Sequence, residues 1–217
     1  MRFELSDQSI IEAARPLIPT ISMSQAAQLK CYAELLLKWN SVYNLTSIRA
    51  PEEVLTLHLL DSLSMVASFN DFAPNAIKVL DVGSGGGLPA IPLAIMRPDL
   101  HVTMVDAVQK KIIFLRQAIV TTKLRNAKAV HARIEKLEMN DLDVVTCRAF
   151  SSLSDFVSWT RHLIQKPSAC WLAMKGRMPF DELQELPEDV EVFKTSNLQV
   201  PNARLERHLI GMKIKSL

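Results

Sequence analysis

The sequence predicts an α/β protein: a mostly parallel sheet covered by helices on both faces, preceded by a helical extension. Three observations predict it. From Ile77 to the carboxyl end, short apolar runs alternate with amphipathic helical stretches, the pattern of parallel strands joined by helices. The first of these runs, Lys78-Val79-Leu80-Asp81-Val82, breaks into a glycine loop, Gly83-Ser84-Gly85-Gly86-Gly87, before the next helix. Ahead of it, apolar residues recur at helical spacing. The expected division is a helical extension over 1–72 and a sheet-bearing core over 73–217, in one compact unit.

The elements follow in order. A short amphipathic helix over about Ser6 to Arg15 is closed by Pro16 and Pro19. Ser22 and Gln25 form a capping box for a longer helix, about Met23 to Val42, whose stripe Leu29, Tyr32, Leu36 and Trp39 reads as core. The connector Trp39 to Arg49 mixes aromatic, amide and hydroxyl groups, which suit either turn capping or recognition. Pro51-Glu52-Glu53 opens another helix, with proline in its first turn and acids at the positive dipole end. On it His58 and Asp61 lie about one turn apart, spaced for a local hydrogen bond or for a shared polar site. Strands are expected at Ile77–Val82, His101–Val105, Ala127–His131, Asp143–Cys147, Ala169–Met174, Val190–Leu198 and Leu209–Lys215. Helices fall near Leu88–Met96, Gln109–Thr121, Leu153–Ile164 and Pro179–Glu185. Ligands of such sheets bind at the carboxyl ends of the strands. That rule selects Asp81 to Leu88, Asp106, His131 to Glu135 and Cys147-Arg148.

Four of the six glycines sit in the loop after the first strand. Such concentration points to backbone conformations that other residues resist, or to something approaching the backbone closely. The helix that follows offers unpaired N–H groups to a ligand. The dinucleotide fingerprint Gly-x-Gly-x-x-Gly is not met, because its third position is Leu88. Asp106 ends the second apolar run, 23 residues after Gly83, where an acid can accept a ribose diol. The loop therefore favours an adenosine-containing cofactor, and its details lean from NAD toward S-adenosylmethionine. The alternative is a tight strand-to-helix turn in another α/β protein.

Composition bounds the rest. The chain has 217 residues, 48% of them hydrophobic, enough for one sizeable core. Net charge is only +2, but residues 107–136 hold eight Lys or Arg and one acid, and residues 181–191 hold six acids and no base. The basic run is either a phosphate-facing surface or a solvated helical face. Cys31, Cys147 and Cys170 make neither a disulfide framework nor a zinc spacing, and the five histidines show no metal pattern, so no metal is expected. No signal-peptide core and no membrane-length apolar run are present, which predicts a cytoplasmic protein. No heptad stripe argues for more than a monomer.

Several motifs together resemble the RsmG (GidB) family. They are Asp81-Val82-Gly83-x-Gly-x-Gly-Leu88-Pro89, Leu37-Lys38-Trp39-Asn40 with Asn44-Leu45-Thr46, His58-x-x-Asp61-Ser62-Leu63, Arg148-Ala149-Phe150, Lys175-Gly176 and Glu206-Arg207-His208-Leu209. They run from about residue 36 to the carboxyl end, and Ala90 departs from the family's usual Leu-Pro-Gly. The resemblance implies a seven-stranded, Rossmann-like class I S-adenosylmethionine-dependent methyltransferase fold. It implies methylation of guanine N7 in bacterial 16S rRNA, at position 527 of the 530 loop. Carried over, the family's cofactor contacts fall on Gly83, Leu88, Ile134, Glu135 and Arg148; the class I pattern adds Asp81, Gly85, Gly87 and Asp106.

On this reading Asp106 accepts the ribose hydroxyls, and Ile134 and Glu135 bracket the adenine unless Glu135 is simply a surface residue. Arg148 meets the methionine carboxylate, a nearby acid or RNA. Cys147 reads better as a buried strand-end thiol than as a nucleophile. Guanine N7 carries no proton, so no general base is assigned; positioning is the whole demand. Trp39, Tyr43, Arg49, Lys175 and Arg207 are candidates to hold the target base, with Asn44 and His58 beside them. Lys110, Lys111, Lys123 and Arg125 are candidates for phosphates. A NAD oxidoreductase, an rRNA-binding or nucleotide-sensing module without turnover, and a methyltransferase for another substrate are the competing readings.

Overall fold

The structure is a computed structural model and describes residues 5–215. The outermost residues of the two expected units, 1–4 and 216–217, lie outside it. The helical extension begins with α1 (Asp7–Ala14), capped by Ser6, and α2 (Met23–Tyr43). The Ser22–Gln25 capping box forms as the sequence predicts: each side chain meets the other's backbone N–H. Asn44 ends α2 in the left-handed region, at φ 50°. Pro51 opens a continuous helical rod of α3 (Pro51–Glu53), a π-helical stretch (Val54–Leu60) and α4 (Asp61–Phe72). The π stretch was not legible in the apolar spacing, and it carries His58 immediately ahead of Asp61. Wide helical turns of this kind recur at functional sites.

Seven strands then form one sheet: β1 (Lys78–Val82), β2 (His101–Asp106), β3 (Ala127–His131), β4 (Val144–Arg148), β5 (Cys170–Lys175), β6 (Val190–Asn197) and β7 (His208–Ile214). Their order is β3-β2-β1-β4-β5-β7-β6, with β7 antiparallel to both its neighbours and the other pairs parallel. The helices between them are α5 (Ala90–Met96), α6 (Gln109–Thr121), α7 (Leu153–Thr160) and α8 (Phe180–Gln184). The helix expected to run on to Ile164 tightens instead into a 3-10 turn, Arg161–Leu163. From β1 the chain winds first to β2 and β3, and β4 lies on the other flank of β1. The order reverses there, and that reversal opens a crevice at the carboxyl ends of β1 and β4.

One apolar core lies on each face of the sheet. On one face Leu29, Tyr32 and Leu36 of α2 and Leu63 of α4 share a continuous core with Ile91 of α5 and Phe114 of α6. Burying each of these large side chains stabilises by roughly 1.5–3 kcal/mol. The extension is thus packed on one face of the sheet, beside α5 and α6. On the opposite face Phe156 and Val157 of α7 cover Val82, Val145 and Trp171. Among the described residues no helix is long and apolar enough to cross a membrane.

Candidate functional site

The glycine loop is built as its composition demands. Gly83, Gly85 and Gly87 take φ values of +66°, +55° and +84°, where side chains are strained. At Gly87 there is also no room: a Cβ would lie 2.7 Å from Ile91 Cγ1 and 2.9 Å from Leu115 Cδ2. At Gly83 a Cβ would meet nothing within 4 Å, because that residue faces an open cleft. Two side chains clamp the loop. Asp106 Oδ2 accepts the Gly85 N–H at 3.0 Å, while its Oδ1 accepts the Val108 N–H at 2.8 Å. From the extension, the buried Tyr32 hydroxyl donates to the Gly86 carbonyl.

A first cleft of about 320 Å³ opens beside the loop, lined by Gly83, Asp106, Lys111, Ile134, Glu135, Phe150 and Trp159 among others. Phe150 and Trp159 meet edge to face, with centroids 5.4 Å apart, and give the cleft an aromatic wall. Lys111 Nζ stands 3.5 Å from Asp106 Oδ2. At the end of β1, Asp81 is 1% exposed, and both its carboxylate oxygens are buried without a hydrogen-bond partner. Burial pushes its carboxyl up to about 7, against the pull of the Ser84 side chain and of Arg148's charge. An orphaned buried carboxylate is costly and calls for a cation. The ammonium of S-adenosylmethionine is such a cation. Asp106, lining the cleft at the end of β2, keeps acceptor lone pairs that a ribose diol can use, and the Ile134 and aromatic wall suits an adenine. The residues present therefore fit this cofactor.

A second cleft of about 410 Å³ lies beyond the end of β4, lined by Ile48, Leu57, His58, Asp61, Arg148, Ala149, Met174, Lys175, Gly176, Leu205 and Arg207. Arg148 and Ala149 line this cleft and the next residue, Phe150, lines the first, so the two adjoin at the β4 rim. Arg148 Nη1 donates to Asp61 Oδ2 at 2.9 Å, and Arg207 Nε donates to Asp61 Oδ1 at 2.6 Å. Lys175 Nζ reaches Glu182 Oε2 at 2.7 Å. His58 Nε2 meets Thr46 Oγ1 at 2.8 Å and its Nδ1 meets the Leu57 carbonyl at 3.0 Å. Burial, helped by Arg148, lowers the His58 imidazole to about 4, so the ring is neutral and Nδ1 is the donor.

The expected site residues divide by place. Gly83, Asp106, Ile134 and Glu135 come together at the first cleft, with Gly85 and Gly87 shaping its loop; Asp81 is buried behind it, two residues before Gly83, and does not line it. Leu88 packs into the core behind the loop. Arg148 lines the second cleft and pairs with Asp61, the nearby-acid option among the three open to it. His58, Lys175 and Arg207 line that cleft as well. The local His58–Asp61 hydrogen bond does not form: Thr46 takes the histidine, and two arginines take the aspartate. Trp39 packs on Tyr43, centroids 5.0 Å apart, and Lys110 Nζ sits 5.8 Å from the Tyr43 ring centre, which puts these three at the α2–α6 junction. Arg49 bonds Asn44 Oδ1 at 2.7 Å on the exposed connector. Lys123 and Arg125 are not at this rim. Lys123 follows the carboxyl end of α6, and Arg125 lines a cavity with Lys78 and His101, the first residues of β1 and β2, at the opposite edge of the sheet. Lys111 reaches the first cleft rather than an outer face. The buried Cys147 thiol is pushed well up by desolvation, which suits the inert reading.

Sequence reasoning missed Tyr32 as a loop clamp, because its helical spacing marked it only as core. It missed Trp159, which carries no spacing signal. Of the two roles open to the Trp39–Arg49 connector, Asn40 takes turn capping: its buried amide accepts from Thr46 N at 2.8 Å and donates to the Ile48 carbonyl at 2.8 Å, fixing the connector that walls the second cleft.

Comparison with known proteins then supplies a family. The GidB family, described as rRNA small subunit methyltransferase G, matches residues 25–210. The ribosomal RNA small subunit methyltransferase G of Leptothrix cholodnii is 44% identical over 210 residues, covering 96% of this chain and 96% of that protein. Its counterpart from Neisseria gonorrhoeae is 46% identical over 192 residues, 88% of this chain and 90% of that one. Among solved structures, the mitomycin 7-O-methyltransferase MmcR superposes with a TM-score of 0.57 at 13% identity, covering 95% of this chain and 74% of that chain. TrmN from Thermus thermophilus gives 0.54 at 14%, covering 74% and 53%. At such identities these structures speak to the fold alone, and that fold is the class I methyltransferase fold expected from the sequence.

Proposed function

The chain belongs to the GidB family, the rRNA small subunit methyltransferases G, and from that premise we propose that it moves a methyl group from S-adenosylmethionine to N7 of one guanine of 16S rRNA, position 527 in the 530 loop. One observation carries the reading beyond the family name. Two clefts of different chemistry adjoin at the end of β4, one beside the glycine loop with an unpartnered carboxylate buried behind it and one with apolar walls over a floor of arginines.

S-adenosylmethionine, when bound, supplies a methyl group activated on a sulfonium. The chain's own part is to hold and aim. Asp81 takes the cofactor's ammonium, Asp106 fixes the loop and offers its remaining lone pairs to the ribose, and the Ile134–Phe150–Trp159 wall excludes water from the adenine face. The second cleft receives the base, turned out of its loop so that N7 faces the first cleft. N7 needs no proton removed, and the side chain best placed to act as a base is not free to do so. His58 has both nitrogens engaged and stays neutral through the physiological range. The exposed Tyr43 and Lys110 at the α2–α6 junction, and Arg49 on the connector beside Ile48, suit RNA around the target. Lys123 and Arg125, at the far edge, do not serve it.

The test is transfer of labelled methyl to small ribosomal subunits from cells lacking this protein, with naked 16S rRNA alongside. Label on a single guanine, recovered as 7-methylguanine, is the expected result. No label on either substrate, with cofactor binding intact, overturns the reading and leaves a binding module or another substrate.

A further inference from the structure

Asp61 opens α4 in the helical extension, and both of its partners come from elsewhere: Arg148 is 87 residues away and Arg207 is 146. A carboxylate only 1% exposed persists when it is paired on both oxygens, as this one is. The pairing also fixes the arginines. Two guanidinium groups would otherwise repel each other across the cleft floor; the shared carboxylate holds them side by side. Each guanidinium carries five N–H donors. Asp61 takes one from each arginine, and the Glu206 carbonyl takes one more from Arg207 at 2.9 Å. Lys175 is neutralised by Glu182, and His58 is uncharged. The cleft's polar floor is therefore this arginine pair, two cations against one carboxylate, beneath walls of Ile48, Leu57, Met174 and Leu205.

A purine is apolar on its faces and polar at its edges. Beside N7, guanine presents the O6 acceptor, while adenine presents an amino donor. N7 itself must stay unbonded if it is to accept the methyl group. Fixed donors aimed at O6 would accept guanine and refuse adenine. We propose that Asp61 is the positioning residue for this selection: it holds Arg148 and Arg207 so that their remaining N–H groups meet O6 of the target guanine. The inference rests on the guanine-N7 reading above and adds the group that enforces it.

The experiment uses small subunits assembled around 16S rRNA carrying, at the target position, guanine, inosine (O6 kept) or 2-aminopurine (O6 absent, N7 kept). Methyl transfer by the full-length protein is followed at saturating cofactor. The wild type methylates guanine and inosine at similar kcat and 2-aminopurine roughly 10- to 100-fold more slowly, the range for one well-made base-edge contact. Asp61→Asn keeps the side-chain shape but faces one arginine with a donor. It lowers kcat on guanine by a similar factor and brings the guanine to 2-aminopurine ratio toward one, with the Kd for S-adenosylmethionine within a few-fold of wild type. Should Asp61→Asn not fold, Arg207→Met, which keeps the apolar stem of a partly exposed side chain, decides by the same ratio. A wild type that methylates guanine and 2-aminopurine alike, or variants that keep the full ratio, overturn the inference while leaving the guanine-N7 reading standing. A wild type inactive on the guanine subunit fails that reading instead. Lost stability alone lowers all three rates together and leaves the ratio unchanged, which also overturns the inference.

Discussion

Asp81 offers a titration that follows from burial alone. Its carboxyl stands near 7 against an ordinary 3.8, with both oxygens unpartnered. Between those two values the native state holds a proton that the unfolded chain has released, so stability falls as pH rises through this window. With Asp81 ionised, above about pH 7, the native state is less stable by about 4 kcal/mol, at ~1.4 kcal/mol per pKa decade. A ligand ammonium set against the carboxylate relieves that penalty, so binding S-adenosylmethionine below pH 7 must expel the proton. Affinity should then rise nearly tenfold per pH unit up to about 7 and level off above it. At pH 5.5 the Kd should be roughly 30-fold weaker than on the plateau, from ~1.5 decades of protonation. Isothermal titration calorimetry at pH 5.5–8, in two buffers of different ionisation heat, reads both the Kd and the protons released. Asp81→Asn should bind weakly with no pH dependence over this range, and should melt higher than wild type at pH 8 in the absence of ligand. A wild-type Kd that is flat between pH 5.5 and 7, with no proton released, would refute the assignment of Asp81 to the ammonium.

Other consequences follow from the loop and its surroundings. Gly87→Ala combines a left-handed φ with contacts under 3 Å to Ile91 and Leu115, and should destabilise by about 2–5 kcal/mol, seen as a lowered Tm. Gly83→Ala meets open space, so it should lose only about 1 kcal/mol of stability from its φ while weakening cofactor binding by far more than Gly87's neighbours would suggest. Tyr32→Phe leaves the Gly86 carbonyl without its donor and should lower stability by about 1–2 kcal/mol, with a looser loop read as a weaker cofactor Kd. Lys110→Ala should reduce the salt slope of RNA binding by about one ion, whereas Lys123→Ala, at the far edge, should leave it unchanged; equal effects from both would contradict the placement of the RNA face.

What could be read from the sequence was whatever depends on neighbours along the chain. The seven strands fell within one residue of their expected ends, because most are short apolar runs bounded by turn residues and the exceptions, β3 and β6, alternate apolar with polar side chains at their start. The Ser22–Gln25 box was legible because four consecutive residues contain the whole motif. The glycine loop announced itself through composition, and positive φ at Gly83, Gly85 and Gly87 is the physical content of that signal. The candidates that failed to converge did so for an equally local reason. Lys123 and Arg125 share a basic run with Lys110 and Lys111, but α6 lies between them, and a helix of 13 residues at ~1.5 Å per residue carries one end of the run about 20 Å from the other.

Asp61 shows the opposite limit. Nothing near it in the chain reports that it is buried or that it holds two arginines, since its partners lie on β4 and just ahead of β7. Its nearest titratable neighbour, His58, invited a local pairing that the structure replaces with Thr46. Two local devices set that exchange. The π-helical stretch offsets His58 from Asp61, and Asn40 pins the connector so that Thr46 meets the ring. The extension is therefore part of the site, although it contributes no strand. Through Tyr32 it holds the loop of the first cleft, and through Asp61 it sets the floor of the second. Removing it would leave the sheet's carboxyl rim with a glycine loop missing one clamp and an arginine pair missing its counter-charge.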